Sequence, residues 1–220
     1  MSGPPIVRVG PPAGFAAPEI VARAAGVLRA GHIVVVPTDT LYGLAALPSM
    51  TGATETLFAL KGRGTDVPVA VLCASAAQAL ELADPAGLSD AVRRIAGRLW
   101  PGPLTLVLPR RPGLGYALGE PAATIGVRCP DHTLVRALAA EVGPLATTSA
   151  NRHGEPTPPT AAEAAALFGT GVGLVLDGGR CAGAASTVVD ATGGGPTGAR
   201  WRVLREGALS LADLEAAAAE

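Results

Sequence analysis

Apolar positions along the chain alternate between the 3.6-residue period of helices and the short continuous runs of buried strands. Residues 18–30, PEIVARAAGVLRA, place Ile20, Val21, Ala24, Val27 and Leu28 on one helical face, with Pro18 near the start and Gly31 as a stop. That helix feeds the apolar run HIVVV. Residues 51–63 predict a second helix, capped by Thr51 and broken at Gly62, then the strand PVAVLCA and a helix that starts on Ser75. The pattern continues through the helix 88–100, the strands PLTLVLP and TIGVRCP, the helix 131–142 and the strand PLATTSAN. Thr160 and Glu163 stand at capping-box spacing and fix the start of a helix over 159–169. The strands VGLVLDG, STVVDA and RWRVLRE follow, and SLADLEAAAA closes the chain as a helix.

Interleaved strands and helices predict an α/β domain, and the late run of strands without helices between them predicts a mixed sheet. No linker divides the chain. The expected organisation is an N-terminal extension over 1–17, one domain over 18–209 and a helical tail over 210–220.

Composition narrows the function classes. The 220 residues are 49% hydrophobic and 16% charged, enough for a sizeable core and far from the regime of disordered chains. A formal net charge of −1 gives the chain no overall electrostatic footprint of a nucleic-acid binder, so any anion site must be local. Cys73, Cys129 and Cys181 lie far apart with no histidine at ligand spacing, which reads as reduced, buried thiols in a cytoplasmic protein. The N-terminal residues lack the apolar core of a signal peptide, and no run is long enough to span a membrane.

The candidate chemistry sits at the ends of the predicted strands, where small polar or basic residues follow apolar ones. VVVPTDT supplies Thr38, Asp39 and Thr40; PLTLVLP carries Thr105; TIGVRCP carries Arg128; PLATTSAN carries Ser149 and Asn151. Ligands of open α/β sheets gather at such ends, which predicts one shared pocket. Lys61 and Arg63 flank Gly62 in LKGRG, a loop after a helix where both cations can converge on one anion. Complementing the helix dipole is the plainer reading of that pair. Likewise Ser149 and Asn151 suit local turn bonds, and Arg128 suits an ion pair with Asp131. No P-loop, dinucleotide fingerprint, metal-ligand spacing or catalytic triad is legible, and His32, His132 and His153 read as surface or satisfied residues.

Taken in order, PTDTLYGL, KGR, WPGPLTLVL, VRCP, TSAN, STVVD and VLREG resemble the YrdC-like family of threonylcarbamoyl-adenylate synthases, in a short, single-domain form. The resemblance implies a twisted mixed sheet with flanking helices around a deep basic cavity. It implies an enzyme that condenses L-threonine, bicarbonate and ATP, with Mg2+, into threonylcarbamoyl-AMP and pyrophosphate. That product serves threonylcarbamoyl-adenosine formation at position 37 of tRNAs reading codons that begin with A, through a tRNA threonylcarbamoyl transferase complex; direct tRNA binding is expected to be weak or absent. Carried over by block, Lys61 and Arg63 hold ATP phosphates, Ser149 and Asn151 contact the nucleotide, and the four form the catalytic set. Thr105 and Arg205 stand in nucleotide-contacting blocks. Thr38 or Thr40, Arg128 and Ser186 surround the threonine. Two departures stand out: PVAVLCA has no histidine where some members carry one, and Gly64 replaces a frequent proline. A carbamoyl-transfer module or an RNA-binding protein of the same fold are the alternative readings.

Overall fold

Residues 3–10, 17–181, 183–193 and 201–219 of the computed structural model are described. Among them are the strands β1 (Ile6–Arg8), β2 (Val34–Val36), β3 (Gly43–Ala46), β4 (Ala70–Leu72), β5 (Leu104–Pro109), β6 (Thr124–Arg128), β7 (Leu145–Ser149), β8 (Leu174–Asp177), β9 (Thr187–Asp190) and β10 (Arg202–Arg205). The helices are α1 (Pro18–Arg29), α2 (Thr51–Lys61), α3 (Ala76–Glu81), α4 (Asp90–Leu99), α5 (Thr133–Val142), α6 (Ala161–Phe168) and α7 (Leu211–Ala218). All ten strands join one open, mixed sheet in the order β1-β8-β2-β3-β7-β4-β6-β5-β9-β10. Parallel pairs such as β4 with β6 alternate with antiparallel ones such as β3 with β7.

Side chains alternate across this sheet as the period of a strand requires. Val34, Val36, Leu174 and Leu176 pack with Leu28 of α1 and Leu138 of α5. Val35, Leu44, Val71 and Val175 point the other way, into a larger core closed by Leu57 of α2, Ile95 of α4, Phe168 of α6 and Leu214 of α7. Both faces are apolar there, which explains why the strands read as continuous hydrophobic runs.

Two strands escaped the sequence pattern. Gly43–Ala46, given no element from the sequence, forms β3, and its residues Gly-Leu-Ala-Ala show no alternation of apolar and polar positions. Within the segment set apart as an extension, β1 pairs in parallel with β8, while residues 11–16 lie outside the description. Capping differs in detail. Met50, not Thr51, is the N-cap of α2 and makes no side-chain cap bond, whereas Gly62 ends that helix at φ 65° as its type allows. Ser75 accepts from Gln78 N and Thr160 from Glu163 N, as expected; a reciprocal capping box joins Ser210 and Asp213.

Candidate active site

The sheet face that α1 and α5 cover continues beyond them, and there its residues become small or polar. Register sets Gly43 opposite Ser149, Ala70 opposite Thr147, Val107 opposite Gly126 and Thr105 opposite Val188. A Cβ on Gly43 would stand 2.9 Å from Thr147 Cγ2, so a larger residue here would crowd the Thr147 side chain. At the sheet edge the register shifts between Val203 and Arg205, which places Arg205 opposite Val188. The bulge thereby aims Arg205 at the same face as Arg202, three residues away.

Over this half lies a cavity of about 610 Å³, and all ten residues singled out from the sequence line it: Thr38, Thr40, Lys61, Arg63, Thr105, Arg128, Ser149, Asn151, Ser186 and Arg205. Among the described residues its charged lining side chains are Lys61, Arg63, Arg128 and Arg205, with no carboxylate on the wall. Buried polar side chains concentrate here too: Thr38, Thr40, Lys61, Thr105, Arg128, Asn151 and Ser186 are each at most 8% exposed. Polar groups are costly to bury without partners, so the hydrogen bonds between them define the site.

Three networks hold it. Lys61 Nζ donates to Ser149 O and Oγ at 2.9 Å each and to Asn151 Oδ1, which occupies all three ammonium protons. Asn151 Nδ2 donates to Arg152 O (2.9 Å) and to Glu155 O, so Asn151 fastens Lys61 to the following loop. Burial, then the charges of Arg63 and Arg205, bring Lys61 down from 10.5 to about 8. In the second network, Thr105 Oγ1 and Ser186 Oγ lie 2.9 Å apart, and Arg205 Nη2 donates to Ser186 O and Oγ at 3.0 Å each.

The third network answers what a cluster of hydroxyls does at the mouth of an apolar strand. Thr38 Oγ1 accepts from Thr40 N and Leu41 N and donates to Leu41 O, so its hydroxyl builds the turn. Thr40 Oγ1 accepts from Arg128 Nη1 (3.0 Å), Gly102 O from Arg128 Nε (3.0 Å), and Asp39 Oδ1 from Arg128 Nη2 (2.6 Å). Arg128 therefore pairs with Asp39, 89 positions away, rather than with Asp131 as the sequence suggested. Burial lowers the Arg128 guanidinium, and Asp39 offsets that effect in part.

Arg63 stands apart from these bonds. Its Nη2 donates to Pro68 O (3.2 Å), the guanidinium lies over the Phe58 ring, and its Nε is buried without a partner. Several further wall residues were not anticipated. Thr147, His153 and Thr157 line the cavity, and Val69 and Leu118 add an apolar wall where the missing histidine was noted. His153 is exposed, as expected of a surface residue, but His132 is not satisfied: its Nδ1 is buried without a partner and burial lowers its pKa. Cys73, Cys129 and Cys181 are buried and unpaired. Among the described residues no three His, Cys, Asp or Glu side chains group as metal ligands, and no helix is long and apolar enough to cross a membrane.

A family model covering Sua5, YciO and YrdC, described as "Telomere recombination", matches residues 26–207, most of the chain. The chain belongs to the Sua5–YciO–YrdC family. A Mycobacterium tuberculosis member is 39% identical over 193 residues, covering 86% of this chain and 85% of its own length. The Bacillus subtilis member named threonylcarbamoyl-AMP synthase is 35% identical over 199 residues, 89% of this chain, but the match spans only 56% of that longer protein. Among solved structures, Pyrococcus abyssi Sua5 complexed with L-threonine superimposes with a TM-score of 0.82 at 33% identity, over 97% of this chain and 60% of its own. The mixed sheet and flanking helices are thus those of the Sua5–YciO–YrdC family.

Proposed function

We propose that the chain is an L-threonylcarbamoyladenylate synthase, a nucleotidyltransferase that joins L-threonine, bicarbonate and ATP into threonylcarbamoyl-AMP and pyrophosphate. One observation carries this reading: among the described residues a single cavity brings together four cations, no wall carboxylate and an arginine braced by a threonine hydroxyl. The naming of relatives as threonylcarbamoyl-AMP synthases and the threonine complex of the Pyrococcus protein support it.

The chemistry needs such a wall. Bicarbonate and the threonine amine form a carbamate with loss of water, and one carbamate oxygen then bonds to the α-phosphorus of ATP as the bond to the departing pyrophosphate breaks. Both reactants are anionic at that moment, so the enzyme must offset their repulsion and hold them in line. Arg63, with an unpartnered Nε, and Arg205, bonded only to neutral acceptors, would take phosphate oxygens. Lys61 reaches them by exchanging one of its protein acceptors, and Ser149 and Asn151 keep it aimed. Arg128 would receive the threonine carboxylate, with Thr38, Thr40 and Ser186 around it and Thr105 supporting Ser186.

Magnesium would supply further neutralisation of the phosphates. A wall without carboxylates among the described residues suits an ion that arrives on ATP rather than one held by the protein. The labile adenylate would pass to a tRNA threonylcarbamoyl transferase complex, with the protein acting in the cytoplasm and binding tRNA weakly itself.

The test is mass spectrometry of the products formed from ATP, L-threonine and isotopically labelled bicarbonate. The reading expects the label in threonylcarbamoyl-AMP; an adenylate without it, or no adenylate from the folded protein, rules the reading out.

A further inference from the structure

The four cations on the cavity wall are not electrically equivalent. Lys61 and Arg205 hydrogen-bond neutral acceptors only, and Arg63 feels Asp66 through space without pairing to it. Arg128 alone among them forms a salt bridge within the described residues, to Asp39 at 2.6 Å, with the two side chains 7% and 14% exposed. Asp39 does not itself line the cavity. Whatever it does to a ligand, it does through Arg128 or through its field.

A guanidinium has five N–H donors. Three of those on Arg128 are committed: Nε to Gly102 O, one on Nη1 to Thr40 Oγ1 and one on Nη2 to Asp39 Oδ1. One donor remains on each Nη, enough for a carboxylate to accept charge-assisted hydrogen bonds. The Arg128–Asp39 pair sums to zero charge, whereas Lys61, Arg63 and Arg205 form a positive group. An amino acid zwitterion meets favourable charge at the pair twice, its carboxylate at Arg128 and its ammonium in the field of Asp39. A phosphate dianion gains from Arg128 and is repelled by Asp39, so it fits the other three cations better.

We propose that Asp39 is a positioning residue that sets specificity: by neutralising and orienting Arg128, it admits a zwitterionic amino acid to that end of the cavity and keeps phosphate anions out. This rests on the reading that Arg128 receives the amino acid carboxylate. It explains how one cavity gives a zwitterion and a phosphate anion different places to bind.

Inorganic phosphate is the probe, set against threonine and against ATP in binding titrations of the full chain. In the wild type, phosphate should compete with ATP and leave threonine affinity unchanged. In Asp39→Asn, which keeps shape and removes charge, phosphate should displace threonine, with an affinity at that end raised by about tenfold or more, while ATP affinity stays within about twofold. Asp39→Glu, which restores the charge, should again exclude phosphate. A merely structural role for Asp39 would lower the melting temperature without creating competition between phosphate and threonine.

Phosphate that competes with threonine in the wild type overturns the inference whether or not the variants fold. Folded Asp39→Asn that binds threonine without phosphate competition overturns it alone and leaves the functional reading standing. A wild type that binds ATP but no threonine overturns the functional reading and the inference together.

Discussion

One face of one sheet serves two purposes in this molecule. Where α1 and α5 cover it, the strands present Val34, Val36, Leu174 and Leu176, and the space above is filled. A few strands further on, the same face carries Gly43, Thr147, Ser149, Ala70, Gly126 and Thr105, and the space above is a cavity of about 610 Å³. The backbone is continuous and hydrogen-bonded throughout. Side-chain size and polarity alone decide which half is core and which is site, so mutations in the two halves should cost different things.

The largest effect belongs to Lys61. Lys61→Ala removes a phosphate cation and strands the buried acceptors of Ser149 and Asn151, and turnover should fall by about 10²–10³-fold, measured as pyrophosphate release. Turnover within threefold of wild type breaks the assignment of this half as the site. Next, on the helix-covered half, Leu138→Ala should cost about 2–5 kcal/mol of stability in urea unfolding and leave the KM for ATP and threonine unchanged. A raised KM there would mean that the two halves are coupled.

Gly126→Val sharpens the contrast. A Cβ at Gly126 meets nothing closer than 3.5 Å, so the variant should fold, with its branches standing in the cavity. Methyl groups standing in ligand space should weaken ligand binding by roughly tenfold, with the melting temperature little changed. Loss of the fold instead would show that this wall is already core.

The smallest effect is titration of Lys61. With its pKa brought to about 8, the ammonium is lost as pH rises through that value, whereas a bound phosphate favours the charged form. ATP affinity should therefore fall about fourfold between pH 7 and pH 8.5, and binding at pH 8 should take up about half a proton. Stability of the ligand-free protein runs the other way. A folded pKa below the unfolded 10.5 means that stability increases with pH between about 8 and 10.5. Calorimetry in buffers of different ionisation enthalpy reads the proton directly.

Much of the site was legible because each strand announces its end. Apolar runs stop at Thr38, Arg128 and Ser149, and LKGRG marks a helix stop with two cations. Less legible was who bonds to whom. The Arg128–Asp39 pair spans 89 positions, and the Lys61–Asn151 bond spans 90; neither follows from local spacing. The chain also hid β3, because Gly-Leu-Ala-Ala fits no period, and the register shift that turns Arg205 toward the cavity, because a bulge depends on the partner strand. Thr38 and Asn151 look like ligand contacts in sequence, but their polar atoms are engaged mainly by the turn and loop they hold.

The central claim is that the polar half of the sheet face binds ATP and threonine for one reaction. Pyrophosphate release from ATP by the wild type and Gly126→Val side by side, with and without L-threonine and bicarbonate, tests it most directly. The account predicts release by the wild type only when both co-substrates are present, and a weakened but equally dependent reaction in the variant. Release that ignores threonine and bicarbonate, or a variant indistinguishable from the wild type, contradicts it.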